Sequence, residues 1–356
     1  MPLAADLFGD VDLVLKAITR KVEDYPAGVL SETKHFPNAP WMYTGAMENY
    51  PEVIDPLSRE RRLLGNDTSV LSGVRNPAHV ATVLTDRSLP SPEVFTPDDL
   101  RPVRGDWLCK PLKSSGGLRI TKCEWNSASD PRPGIVDGCY FQEFVEGVSH
   151  GAVFVGDTKR AVLLGVTQQF TDLDWLGSQG VVYQGSFGPV ELPDSSMAQL
   201  QQIGSCLAER FGLVGLFGID FVLQGDEVWT VEVNPRYTAT VEILEQALAL
   251  NAITMHVQAC TEGVLGAPRP QKSAPTQIGK VIKCAAEDLI VTPQAVEFAV
   301  DFNRNRTWPT YADIPFPDSH IRAGQPIASV LATGKSQQEL EHKLRRAWNA
   351  FQQRLE

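Results

Sequence analysis

Glu232, Asn234 and Arg236 recur at a period of two in the stretch TVEVNPR (230–236), with Val231 and Val233 among them. An extended strand sends alternate side chains to opposite faces, so the three polar groups would share one face. A carboxylate and an amide oxygen suit a hard cation such as magnesium, and a guanidinium grips phosphate or carboxylate through paired hydrogen bonds. Taken alone, the same spacing also fits a solvated strand face carrying an Arg–Glu surface pair.

The preceding residues sharpen the choice. GLFGIDFVLQGDEVWTVEVN holds two strand-like runs around Gly225 and Asp226, the pattern of a hairpin. A two-residue turn with uninterrupted pairing would set Asp220 against Val231 and mix polar with apolar residues on both faces. A three-residue loop, or an equivalent bulge, sets Gln224 against Val228 and Asp220 against Glu232. One face then reads Ile219, Phe221, Leu223, Trp229, Val231 and Val233; the other reads Gly218, Asp220, Val222, Gln224, Val228, Thr230, Glu232 and Asn234. Because a one-residue slip exchanges the faces, this register is preferred. It makes two carboxylates cross-strand neighbours, which costs up to about 1 kcal/mol unless a cation lies between them.

A metal–phosphate site also needs donors. In CKPLKSSGGLRI (109–120) Lys110 ends a strand-like run and a Ser-Ser-Gly-Gly turn follows. Glycines admit backbone N–H groups close to phosphate oxygens, and lysine adds a point charge. The spacing is not the P-loop pattern, and a strand follows it instead of a helix. YFQEFVEG (140–147) mixes aromatic and aliphatic side chains with Gln142, Glu143 and Glu146, a composition that could line a base-binding slot or form an ordinary strand end.

The elements that must hold these groups follow from composition and periodicity. The 356 residues are 43% hydrophobic and 21% charged, enough for two or three domains. A net charge of −11 argues against nonspecific binding to nucleic acid or anionic membrane, so local donors must hold any anion. No apolar run is long enough to span a bilayer, and MPLAADLFGD lacks the charged start and apolar stretch of a signal peptide. The six cysteines lie far apart without a C-x-x-C pair, as expected of free thiols in a reducing cytoplasm.

Residues 1–88 alternate short apolar runs with helix-like stretches such as VDLVLKAITRKVEDY, suiting a small α/β unit. A proline-rich link (89–102) leads into a β-rich stretch with clear turns. The spacing predicts a helix over 195–212, the hairpin, then one long helix through TVEILEQALALNAITMHVQAC. A second link (266–277) precedes two strands, GKVIKCAAEDLIV and PIASVLATG, and a closing amphipathic helix. The expected divisions are 1–88, 89–265 and 266–356.

In this order, Lys110 with its SSGG loop, QEFVEG, Asp220 within GIDFVLQGDEVW, and Glu232, Asn234 and Arg236 within VEVNPR resemble the ATP-grasp superfamily over roughly residues 65–250. ENYPEVIDPLSRERRLLGN and DIPFPDSHIRAGQPIASVLATG are similar to a branch of ATP-dependent carboligases related to biotin carboxylase. The resemblance implies an α+β and α/β chain. Two α+β subdomains would clamp ATP, after a small α/β domain that starts short of the family's usual opening unit and before a small β-rich C-terminal segment.

It further implies that Lys110 touches the α- and β-phosphates while Ser114, Ser115, Gly116 and Gly117 close over them. Gln142, Glu143, Phe144 and Val145 would line the adenine, with Glu146 or a neighbour at the ribose. Asp220, Glu232 and Asn234 would hold one or two magnesium ions, or manganese in their place. Arg236 would steady the transferred phosphoryl group, and Arg75 is the candidate for a second nucleotide-binding cation, with a helix-capping role as its alternative.

The implied reaction activates a small-molecule carboxylate as an acyl phosphate for attack by an amine. Its rivals are a bicarbonate-activating carboxylase and a catalytically silent ATP-binding regulator. His150 and His256 fit acid–base or structural roles, and Tyr183, Lys113 and Glu242 are candidates on the substrate side. QQFTDLDWLGSQG (168–180) reads as a lid, and a homodimer is the expected assembly.

Overall fold

The computed structural model describes residues 3–5, 18–20, 25–36, 38–96, 105–113, 116–117, 119–125, 138–170, 173–176, 182–266 and 276–355. The first strands, β1 (Leu3–Ala5) and β2 (Ile18–Arg20), pair in parallel. Part of the helix-like stretch at 11–25 is therefore strand, and its residues 11–17 and 21–24 lie outside the described set.

A small antiparallel sheet has the order β3-β6-β4-β5, formed by β3 (Val94–Phe95), β4 (Gly105–Pro111), β5 (Thr121–Trp125) and β6 (Cys139–Glu143). Phe95 stacks on Phe141 and meets Trp107 edge-on, giving this sheet its own apolar centre.

The larger sheet has eight strands, all antiparallel to their neighbours. It uses β7 (Val148–Asp157), β8 (Ala161–Gln169), β9 (Gly185–Gly188), β10 (Val214–Gln224) and β11 (Glu227–Asn234). Beyond these come β12 (Gln277–Cys284), β14 (Tyr311–Ala312) and β16 (Pro326–Gly334), while β13 (Leu289–Ile290) and β15 (His320–Ile321) form a separate ribbon. The strand order is β11-β10-β7-β8-β9-β12-β16-β14, so the C-terminal strands extend the sheet that begins with the hairpin.

Alternation along β10 sends Phe217, Ile219 and Phe221 into a core shared with the helix Asp194–Phe211. That helix buries Leu200, Ile203 and Leu207 completely, each contributing roughly 1.5–3 kcal/mol. It stops where Gly212 adopts φ +72°, close to the expected 195–212. Leu216, Gly218 and Asp220 take the opposite face of β10, where Leu216 packs with Val153 and Val155 under two further helices.

Those two helices, Ala239–Leu248 and Ala252–Glu262, replace the single long one expected. Ala249 turns left-handed at φ +51°, and Asn251 caps the second helix through the Thr254 N–H at 3.0 Å. Glu245 also accepts the Ala252 N–H at 2.7 Å, so side chains replace the helical bonds lost at the break.

The C-terminal segment holds an unanticipated helix, Pro293–Asn303, begun by Thr292 as N-cap and proline at the first position. The closing helix, Gln337–Gln352, is capped by Ser336 and buries Leu340, Leu344, Trp348 and Phe351. On the N-terminal side, Pro51–Glu60, Thr68–Val74 and Pro77–Thr85 form a helical layer. Asn66 ties this layer to the large sheet, donating to Val214 and Pro235 carbonyls and accepting the Val214 N–H at 2.9 Å.

Candidate functional site

Asp220 stands opposite Glu232 in the β10–β11 ladder, and Gly218 stands opposite Asn234. The register is achieved through a two-residue turn followed by a bulge between Asp220 and Phe221, not through a three-residue loop. Beyond the bulge Phe221 pairs with Thr230 and Leu223 with Val228, so Val228 and Thr230 join the apolar face. The expected face assignment therefore holds near the carboxylates and fails towards the turn.

The bulge also has a chemical consequence. A bulged residue leaves the regular ladder, and the Val231 carbonyl accepts Lys110 Nζ at 3.3 Å and Gln142 Nε2 at 3.1 Å. Lys110 also donates to Gln142 Oε1 at 3.0 Å. The central strands of the small sheet thus meet the edge strand of the large one at a single backbone oxygen.

Around the two carboxylates the hydrogen bonds are continuous. Asn234 Nδ2 donates to Asp220 Oδ2 at 2.9 Å, and Arg236 reaches Asn234 Oδ1 at 3.3 Å. Arg75 pairs with Glu232 at 3.0 Å. Its backbone N–H also closes the C-terminal end of the helix Thr68–Val74, the capping role given as the alternative.

Burial, and then Glu232 facing it, pushes the Asp220 carboxyl up to about 7, against the pull of Lys110 and Arg236. Burial lowers Lys110, while Glu232 and Asp220 draw its pKa the other way. Two opposed carboxylates and an amide oxygen offer the oxygen ligands a hard divalent cation takes, and such a cation would relieve the repulsion between the two acids. Among the described residues no group of three or more His, Cys, Asp or Glu could hold a metal ion, so the fit rests on this mixed set.

Other expected residues lie apart from this centre. Gly116 and Gly117 follow β4 with φ +64° and +75°, and Gly116 accepts the Tyr183 N–H at 3.0 Å. Ser114 and Ser115 lie outside the described residues, as do parts of the 89–102 and 266–277 links and of the 168–180 lid. Glu143 accepts the Glu93 N–H at 3.1 Å, at the sheet edge. The Phe144 ring carries Lys122 4.6 Å from its centroid, Val145 is half-buried and Glu146 is exposed.

Neither histidine reaches the carboxylates. His150 stands opposite Phe221 on the apolar face and stacks on its ring. His256 Nδ1 accepts the Leu216 N–H at 2.8 Å, and its Nε2 meets the Leu64 carbonyl at 3.0 Å.

Two consecutive residues that sequence patterning did not single out hold the arginines. Glu48, almost fully buried, pairs with Arg236 at 2.7 Å, and Asn49 accepts Arg75 at 3.1 Å. They belong to ENYPE in the N-terminal layer, where local periodicity carries no sign of a distant guanidinium.

The small sheet closing against the carboxylate edge of a larger antiparallel sheet defines a two-lobed clamp. Residues 74–240 match the family model of the ATP-grasp domain. A formate-dependent phosphoribosylglycinamide formyltransferase of Prochlorococcus marinus (strain NATL1A) is 38% identical over 179 residues, covering 46% of this chain and 42% of that relative. The match therefore spans less than half of the relative's length. Among solved structures, an L-amino acid ligase from Bacillus licheniformis superposes with TM-score 0.66 at 14% identity, covering 91% of this chain and 82% of the other. A biotin carboxylase–β,γ-ATP complex from Campylobacter jejuni gives TM-score 0.67 at 11% identity, covering 96% and 83%. At such identities these two likenesses establish the fold.

Proposed function

We propose that this chain is an ATP- and magnesium-dependent ligase that activates a small-molecule carboxylate as an acyl phosphate for attack by an amine. The observation that carries this reading is the opposition of Asp220 and Glu232 beside Lys110, Arg75 and Arg236. A net negative pair flanked by three cations can bind a metal and an anion together. The ATP-grasp match and the names of the similar ligase and formate-dependent enzyme support the same chemistry.

Asp220, Glu232 and the Asn234 amide oxygen would hold the magnesium, which supplies charge neutralisation for the phosphates. Lys110, fixed by Gln142 and the Val231 carbonyl, would hold a phosphate oxygen in one place. Arg236, steadied by Glu48, would face the charge that develops as the phosphoryl group moves. Such pre-oriented donors act mainly by positioning and electrostatics, and phosphoryl transfer needs no protein nucleophile. Gly116 and Gly117 would approach the triphosphate, with Gln142 to Glu146 on the nucleoside side.

Among the described residues no helix is long and apolar enough to cross a membrane, and all six cysteines are free. A cytoplasmic enzyme working on small molecules, alone or as a homodimer, fits these features. The test is ADP release from purified protein with Mg-ATP and pools of amino acids, other carboxylates, amines and bicarbonate. Turnover requiring a carboxylate and an amine together is expected. Turnover with bicarbonate alone would point to a carboxylase, and none with any pool would sink the ligase reading.

A further inference from the structure

The face of the large sheet that carries Asp220 does not end there. Asp220 pairs with Gly151 of β7, and Gly151 with Thr167 of β8. Gly151 lacks a Cβ where Thr167, Thr240 and Asp220 side chains crowd together. Two residues further along β8, Gln169 pairs with Ser186, which pairs in turn with Lys280 of β12. Lys280 rises beneath the helix Ala239–Leu248 and meets Glu242 at 2.6 Å and Asp313 at 3.6 Å. Lys280 has 7% of its side chain exposed, against 24% for Glu242 and 44% for Asp313, so the acids open outward.

Its free hydrogen-bonding capacity is specific. Glu242 uses Oε2 on Lys280, while Asp313 places Oδ2 near Lys280 and accepts Ser329 Oγ there at 2.5 Å. Glu242 Oε1 and Asp313 Oδ1 have no partner among the described residues. Ser186, wholly buried, has its Oγ on the same side as Lys280, beside the buried Tyr183 hydroxyl, and neither oxygen has a hydrogen-bond partner beyond the other. Lys280, Asp220 and Glu242 are all electrostatic neighbours of that hydroxyl, which links this pocket to the metal-site carboxylates. Buried polar groups without partners are uncommon in folded proteins, and a bound water, ion or ligand group is a usual reason for one.

The sign of the pocket selects the ligand. One lysine, already engaged, faces two carboxylates, which leaves the cluster with a surplus negative charge. A carboxylate ligand would meet this surplus repulsively. A primary ammonium brings only donors and would find two free carboxylate oxygens and two hydroxyl acceptors.

We propose that the pocket formed by Glu242, Asp313, Lys280, Ser186 and Tyr183 binds the primary-ammonium end of the amine substrate. The assignment rests on the ligase reading above and names the substrate group recognised beside that site. Lys280 holds the two carboxylates at fixed positions, leaving their outer oxygens for the ligand.

Calorimetric titration of the full chain in Mg-ADP with the twenty amino acids and simple diamines tests this. Any member that binds is then compared with its N-acetylated form. At least one free amine is expected to bind, with N-acetylation abolishing the heat. Glu242→Gln and Asp313→Asn are each expected to weaken the amine at least tenfold and leave Mg-ADP affinity within twofold. Asp313, the more exposed acid, keeps the test usable should Glu242→Gln impair folding. Equal binding of the N-acetylated form, unchanged amine affinity in both variants, or no amine bound by a parent that binds Mg-ADP overturns the proposal. A parent that does not bind Mg-ADP overturns the ligase reading and the proposal with it.

Discussion

Two charge clusters occupy one face of the large sheet and are built in opposite ways. At β10–β11 the carboxylates Asp220 and Glu232 stand on the sheet itself, and cations come largely from other elements. Arg75 arrives from the helical layer and Lys110 from the small sheet, while Arg236 follows β11 and leans on Glu48. At β12 the cation Lys280 stands on the sheet, and the acids come from a covering helix and the residue after β14. The first cluster thus draws two of its three cations from elements outside the large sheet. The second has its cation rooted in the central ladder, where the buried Lys280 side chain meets both acids.

Removing a sheet-borne carboxylate from the first cluster should produce the largest effect. Glu232→Ala is expected to lower magnesium-dependent turnover by about 10²–10³-fold, the scale of losing one group that stabilises a developing charge. The fold should persist, because Arg75 can turn to solvent. ADP release measured against magnesium concentration decides it, and unchanged turnover would return the stretch to an ordinary solvated strand face.

Stability should separate the clusters in the other direction. Lys280→Met leaves Glu242 and Asp313 facing each other without their cation and is expected to cost about 3 kcal/mol. That is the lower end for breaking a buried pair, because both acids keep some hydration. Arg75→Met is expected to cost less, about 1–2 kcal/mol, because one hydrogen-bonded guanidinium is lost while Glu232 stays 31% open to water. Urea unfolding of the two variants compares them directly. Equal losses would remove the distinction between imported and sheet-borne cations.

The Asp220–Glu232 opposition was legible because the two faces of a hairpin constrain its register. The device that achieves it, a bulge at Val231, was not, since loop and bulge shift the pairing equally near the carboxylates. Lys110 could be found because a strand-end lysine before a glycine pair is a local signal. Glu48 and Asn49 could not, because their partners lie far along the chain and nothing local distinguishes them from surface residues. The helix break at 249–251 left a readable sign in Asn251, an N-cap residue, but apolar spacing continues across it and masks the stop. Lys280 sits in an otherwise buried strand, where alternation marks it as unusual without saying which acids it meets.

The imported cations depend on how the helical layer is anchored, and that anchor is uncharged. His256 accepts the Leu216 N–H through Nδ1, so Nε2 carries the proton towards the Leu64 carbonyl just before Asn66. A proton added at Nδ1 would oppose the Leu216 donor. Burial lowers His256 below the ordinary imidazole value, with the Leu64 contact pulling weakly upward, and burial also lowers His150. At these two histidines the unfolded chain takes up protons near pH 6.5 that the folded chain refuses, so their contribution to stability falls as pH drops below about 6.5, while the raised Asp220 carboxyl contributes in the opposite sense. His256→Phe keeps the volume but strands the Leu216 N–H and the Leu64 carbonyl, at a cost of about 1–3 kcal/mol per buried group at pH 7.5. Cys260, whose Sγ lies 3.8 Å from Nε2, is the near titratable neighbour, and it stays protonated across this range because burial raises it to about 11. Urea unfolding at pH 7.5 and 5.5 should show a smaller acid loss in the variant than in the parent. An identical loss would place the acid sensitivity elsewhere and leave the layer anchored by Asn66.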